Sequence, residues 1–207
     1  SVGRPERFSR KRIVESAASV AAVFGPAATM SAIASALGGP TGSIYHRFGS
    51  REELLAEMWV DIAESFQAQF IDLLDGSGDP LDVAIQAALH TPRWVRLNPS
   101  KARIFFHYRR DDFVPSVVSN ELRVRLDHLR VGLRSGVLGF CERAFGGISP
   151  DLIEVCALVL IDLPAAVVRR HLVSARPLPS QVDSLLELSV RAILLADPAI
   201  EPAEIAG

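Results

Sequence analysis

Apolar residues at Ile13, Ala17, Val20, Ala21 and Phe24 recur at the i, i+4, i+7, i+8, i+11 spacing of one helical face, and Gly25-Pro26 ends the run. Thr29 can cap a second, short helix with Met30, Ile33, Ala34 and Leu37 on its inner face, and Gly38-Gly39 supplies residues able to take positive φ at its end. Pro40 then opens a third short helix, Thr41 to Phe48, whose inward residues are Ile44 and Phe48. Ser50-Arg51-Glu52-Glu53 reads as a capping box, with Ser50 accepting from the Glu53 amide while the Glu53 side chain reaches back. A long fourth helix follows to about Leu74, carrying Leu55, Met58, Trp59, Ile62, Phe66 and Phe70.

Gly76-Ser77-Gly78-Asp79-Pro80 breaks the chain after the fourth helix. Helical patterns then cover Leu81 to Leu97, Ser100 to Arg110, Ser116 to Phe145, a nearly all-apolar stretch after Pro150 to about Ser174, and Ser180 to Ala196. No strand-like alternation competes with them. The expected fold is therefore all-α, with a three-helix helix-turn-helix domain over residues 1–50. The fourth helix joins it to a bundle of about five further helices within residues 51–207.

Composition narrows the class. The chain has 207 residues, of which 49% are hydrophobic and 22% charged, the balance of a globular protein rather than a disordered one. Its most apolar run, Val155 to Ile161, stops at Asp162 and Pro164, well short of the roughly 20 residues a membrane span needs. No charged segment followed by an apolar one opens the sequence, so a cytoplasmic, soluble protein is expected. Cys141 and Cys156 lack metal-ligand spacing and read as two buried thiols in a reducing compartment. The net charge of −2 hides an asymmetry: the first 50 residues hold six basic and two acidic side chains, while the remainder is acidic. A basic head on an acidic body is the asymmetry expected when one end meets a polyanion. Between Ser16 and His46 there is no charged residue, so that basic charge lies at the edges of the head.

Ala34, Gly38 and Ile44 have the spacing of a helix-turn-helix: a small residue for close helix approach, a turn residue, and an anchor behind the recognition helix. Such a helix presents its first residues to base edges in the major groove, which makes Thr41, Gly42 and Ser43 the candidate base contacts. Tyr45 and His46, one turn on, are placed to donate to phosphates. Thr29 and Ser31, at the start of the second helix, are placed to do the same with help from its dipole. Arg10, Lys11 and Arg12 form a basic arm at the entry of helix one, from which Arg10 and Lys11 are expected to meet DNA phosphates.

The segment Thr-Gly-Ser-Ile-Tyr-His-Arg-Phe-Gly-Ser-Arg-Glu-Glu-Leu, Thr41 to Leu54, resembles the recognition helix and helix-four entry of the TetR family of bacterial transcriptional regulators, over about residues 8 to 60. The resemblance implies a DNA-binding head, a larger helical body that binds a small molecule, and a homodimer formed through the last two helices. It also makes Arg51 resemble the basic residue that meets the DNA backbone in that family. At Pro40-Thr41 the sequence departs from the frequent Ser-Lys pair, which removes one cationic contact.

In the body, aromatic and histidine side chains with polar tips mark the candidate ligand pocket, an apolar lining with a few donors. Trp59 and Phe66 supply it from the fourth helix, and His90 and Trp94 from the fifth. Phe105, His107, Tyr108 and His128 come from the next two. The ligand is expected to be largely apolar. A helix apolar on all sides needs a cover on all sides, so Leu158 and Ile161, with Leu185, Leu186 and Ile193 of the last helix, are the candidate dimer interface. No nucleophile-base constellation, phosphate-binding glycine loop or paired metal spacing marks an enzyme, and no metal or cofactor is expected. The regulator is expected to be a repressor on palindromic double-stranded DNA. The alternative is a helical ligand-binding or protein-interaction module that does not bind DNA.

Overall fold

The computed structural model describes residues 8–174 and 176–196, and among these it is helical with no strand. The helices are α1 (Arg10–Phe24), α2 (Met30–Leu37), α3 (Thr41–Tyr45), α4 (Arg51–Leu74), α5 (Pro80–Leu97), α6 (Pro99–Ala102), α7 (Asn120–Phe145), α8 (Pro150–Ala157), α9 (Leu163–Val173) and α10 (Gln181–Ala196). The chain divides into two compact units: residues 1–63 with 99–126, and residues 64–98 with 127–207.

In the first unit, Ser9 caps α1 by accepting from the Arg12 amide, and Ile13, Ala17 and Ala21 are fully buried along its inner face. The helix stops at Gly25, which holds φ +57° and ψ −140°, a conformation that strains any residue with a Cβ. Thr29 caps α2 as expected, accepting from Ala32 N at 3.2 Å, and Gly38 closes that helix in the left-handed region at φ +72°. Helix α3 is shorter than its expected span to Phe48. Residues 46–48 continue as a turn bonded back to Gly42 and Ile44, so Ile44 and Phe48 still point inward and are fully buried. Ser50 accepts from Glu53 N at 3.0 Å, while the Glu53 carboxylate accepts from Gly49 N and not from Ser50, a capping box shifted by one residue.

The expected helix over Ser100 to Arg110 is instead α6, a wider π turn over Arg103–His107, and a separate 3-10 turn over Arg110–Asp112. The Asp112 carboxylate accepts from Arg109 N at 2.8 Å, an alternative bond that takes the backbone out of the helix. Helix α7 begins at Asn120 rather than near Ser116 because Ser119 supplies the cap, accepting from Leu122 N.

In the second unit, α10 packs on α5, where Ala84, Ala87 and Ala88 let the helices approach. Phe70, Leu74, Phe140, Leu160, Leu186 and Val190 fill the core between them and their neighbours. The apolar stretch expected as one helix contains a π turn, Leu158–Asp162, between α8 and α9. Pro164 has no N–H to return to Leu160, and the wider turn absorbs that missing bond. No helix among the described residues is long and apolar enough to cross a membrane.

Candidate nucleic-acid interface

The head carries the geometry that its sequence spacing called for. Ala34 and Ile44 are buried between α1, α2 and α3, and Gly38 turns the chain between the second and third helices. With Ile44 and Phe48 fixed inward, the opposite side of α3 is free. Gly42 is exposed and a Cβ there would meet nothing within 4 Å, so the packing of the head does not require its lack of a side chain. Thr41 and Ser43 flank it, half-buried, in the first turn. Tyr45 is 51% exposed, which rules out the core position an aromatic beside Ile44 might have taken. His46, Thr29, Ser31 and Lys11 are exposed as well. Hydroxyl groups are thus exposed at the start of α2, phenol and imidazole groups at the end of α3 and an ammonium at the start of α1, a donor set suited to base edges and phosphates.

Two of the expected phosphate contacts are revised by the structure. The Arg10 guanidinium donates from Nε to Glu57 Oε1 at 2.7 Å, from Nη2 to the other Glu57 oxygen, and from Nη1 to the Arg47 carbonyl at 2.9 Å. It also lies 4.2 Å over the Phe48 ring. The bond to Glu57 raises the Arg10 pKa further above its ordinary value. Arg51 donates from Nε to Ala28 O at 2.5 Å and from Nη2 to Pro26 O, and pairs with Glu52. Arg10 therefore pins the end of the recognition helix to α4, and Arg51 pins the α1–α2 turn to the same helix. Their donors are committed to the fold, because a nearby carboxylate or carbonyl at fixed geometry outcompetes water. Glu57, 8% exposed, was not among the sequence candidates; a carboxylate flanked by Leu54, Leu55 and Met58 on an apolar face was the available signal.

The eight ligand-pocket candidates are divided between the two units. In the first unit, Trp59 lies 5.5 Å from Phe105, His107 lies 4.7 Å from Tyr108, and Tyr108 meets Phe113 edge-on. Tyr108 also sits against Gly25, where a Cβ would fall 2.5 Å from its Cζ, so this side chain locks the end of α1. In the second unit, Phe66 packs against His90 at 4.8 Å and edge-on against Trp94 at 5.3 Å. His90 is 6% exposed, and burial holds its pKa below the ordinary value; the neutral ring donates from Nε2 to Phe66 O at 3.0 Å. His128 is exposed. A cavity of 190 Å³ in the second unit is lined by Leu74, Val83, Phe140 and Arg143 and by none of the eight.

On the candidate dimer face, Leu158 and Leu185 are exposed, at 44% and 62%, and Ile161 and Ile193 are partly buried against the core. Leu186 is a correction: at 1% exposure it belongs to the core of its own chain and has no surface left for a partner. One turn on, Leu188 and then Leu195 continue the exposed stripe that Leu185 begins. Cys141 and Cys156 are buried together, and a bond from the Cys156 thiol lowers the Cys141 pKa. Among the described residues no group of three or more His, Cys, Asp or Glu side chains is placed to hold a metal ion.

Fold and head together define a helix-turn-helix domain with a helical body. Residues 13–58 match the family model for bacterial regulatory proteins of the tetR family. The fatty acid degradation regulator FadR of Bacillus halodurans superposes with a TM-score of 0.66 at 15% identity, covering 91% of this chain and 100% of its own. FadR of Bacillus subtilis, in complex with stearoyl-CoA, gives 0.66 at 12% identity over 89% and 97%. The TetR family regulator PfmR of Thermus thermophilus gives 0.65 at 21% identity over 89% and 97%. No curated protein sequence matches the chain. Residues 13–58 are thus similar to the tetR-family DNA-binding domain, and the described chain shares the fold of the solved regulators named above.

Proposed function

We propose that the protein is a cytoplasmic, homodimeric repressor that holds a palindromic operator and releases it when a small, largely apolar molecule binds the body. Residues 1–50 serve as the DNA-binding head and residues 51–207 as the ligand-binding and dimerisation part. The observation that carries the reading is the first turn of α3: Gly42 exposed between half-buried Thr41 and Ser43, with Ile44 and Phe48 fully buried behind them. Base edges are met by Thr41 and Ser43 hydroxyls around the close approach that Gly42 allows. Phosphates are met by Tyr45, His46, Lys11, Thr29 and Ser31. Two-fold DNA needs two heads at a fixed separation, and the exposed leucines of α10 supply an apolar face for pairing. Release requires that the ligand bind one head spacing more tightly than the other. Acyl compounds are the first to try, given the stearoyl-CoA held by the Bacillus subtilis protein of the same fold. Footprinting on the DNA flanking the protein's own gene tests the reading. A protected palindrome, lost on adding the ligand, supports it; no protection at low salt contradicts it and leaves a ligand-binding module.

A further inference from the structure

Cys141 of α7 and Cys156 of α8 are fully buried in the core of the second unit, and the Cys156 thiol donates to the Cys141 sulfur. Two sulfurs from different helices are thus in contact, with the Gly146-Gly147 turn between them in the chain. Apolar burial by itself raises a thiol's pKa and leaves it inert. Here the bond from Cys156 outweighs burial and holds the Cys141 thiol below its ordinary value, which makes it a readier nucleophile than a core cysteine standing alone. A small oxidant also has a way in. Phe140 and Ala144, beside Cys141 and one turn beyond it on α7, line the 190 Å³ cavity, and exposed Gly76, Ser77 and Gly78 of the same lining open it to solvent. Residues three apart on a helix are neighbours, so a molecule of the size of hydrogen peroxide comes within one side chain of the Cys141 sulfur.

We propose that Cys141 and Cys156 form a peroxide-sensitive dithiol that closes to an intramolecular disulfide between α7 and α8. The Cys141 thiolate attacks one peroxide oxygen and the O–O bond breaks, leaving a sulfenic acid on Cys141 and a hydroxide that takes the thiol's proton to become water. The Cys156 sulfur then attacks the Cys141 sulfur. The S–O bond breaks as the S–S bond forms, and the departing hydroxide leaves with the Cys156 proton as a second water. Two thiols and one peroxide give one disulfide and two waters, with two electrons passing from sulfur to oxygen. Sulfurs already in contact need only close to the S–S length of about 2.0 Å. Exchange with a dithiol restores both thiols, and a transient bond of this kind is the form disulfides take in a reducing compartment. The proposal stands independently of the DNA-binding reading.

Mass spectrometry of the full-length protein tests this. The protein is reduced, freed of reductant, exposed while folded to a small excess of hydrogen peroxide, then unfolded and alkylated with N-ethylmaleimide. The expected product is a single chain lighter by two hydrogens that takes up no N-ethylmaleimide and whose non-reduced digest links the Cys141 and Cys156 peptides. Dithiothreitol should return both thiols to alkylation. Cys156→Ala should stop at a Cys141 sulfenic acid that dimedone traps, and in Cys141→Ala the remaining thiol should react about tenfold or more slowly. Circular dichroism after peroxide confines these readings to folded protein, and the native sequence alone decides the linkage if either variant fails to fold. Two thiols still open to N-ethylmaleimide, a link between chains instead of within one, separate sulfinic acids, or equal rates at the two cysteines overturns the proposal and leaves both as inert core side chains.

Discussion

Replacing Arg10 separates a structural role from a DNA-contacting one. Glu57 is 8% exposed and its carboxylate takes two bonds from Arg10, so Arg10→Ala leaves a charge with little water and no cation. Removing one partner of a fully buried pair costs about 3–5 kcal/mol. The Arg10 side chain is 45% exposed, so solvent screens the pair and the expected loss is nearer 1–2 kcal/mol. For a chain of this size that lowers the melting temperature by about 3–6 °C. Glu57→Gln keeps one acceptor and should lose about half as much. Arg10→Met with Glu57→Leu should cost less than the two single changes summed, since no charge is stranded. DNA binding is measured in the same variants by anisotropy across a salt series. With Arg10 as a positioning residue, holding the Arg47 carbonyl and Phe48 ring to α4, affinity falls at every salt concentration and the slope on log salt is unchanged. An Arg10 that met a phosphate in each head of a dimer would make that slope shallower by about 1.8. An unchanged melting temperature together with a shallower slope would refute the reasoning.

Other consequences are open to direct measurement. Gly25→Ala forces a Cβ into a positive-φ position and within 2.5 Å of Tyr108 Cζ, for an expected loss of about 2–4 kcal/mol in urea denaturation. Adding Tyr108→Ala should recover only the crowding share of that loss. His90 is held neutral by burial, so the unfolded chain takes up its proton first as pH falls. Stability from this group is complete above about pH 6.5 and declines below it, and His90→Gln should flatten the difference in urea midpoint between pH 7.5 and 5.5. Leu185→Glu with Leu188→Glu should give a folded monomer by sedimentation. Leu186→Glu should unfold the chain, because Leu186 is core and its neighbours are surface.

The helices and the inward anchors were legible because 3.6-residue periodicity and cap residues are local signals. Ile44, Phe48, Thr29 and Gly38 all occupy the positions those signals assign. What stayed hidden depends on tertiary partners. Arg10 and Arg51 look like any basic residue beside a helix-turn-helix, and only the fold brings Glu57 and the Pro26 and Ala28 carbonyls to them. Leu185 and Leu186 are indistinguishable in type, and one residue of helical rotation sends one to the surface and the other to the core. The π turns over Arg103–His107 and Leu158–Asp162 have the periodicity of ordinary helix, since five residues are too few to separate the two. Pro164 was the one sequence mark of the second.

Selection of bound sequences from a random duplex pool tests the central claim most directly, made with the native protein and with Ser43→Ala and Tyr45→Phe. A two-fold symmetric site should emerge. Ser43→Ala should alter base preference at matching positions of both half-sites, and Tyr45→Phe should weaken all sequences alike with the preference intact. No enriched symmetric site, or a base preference that Ser43→Ala leaves unchanged, would contradict the placing of α3 in the major groove.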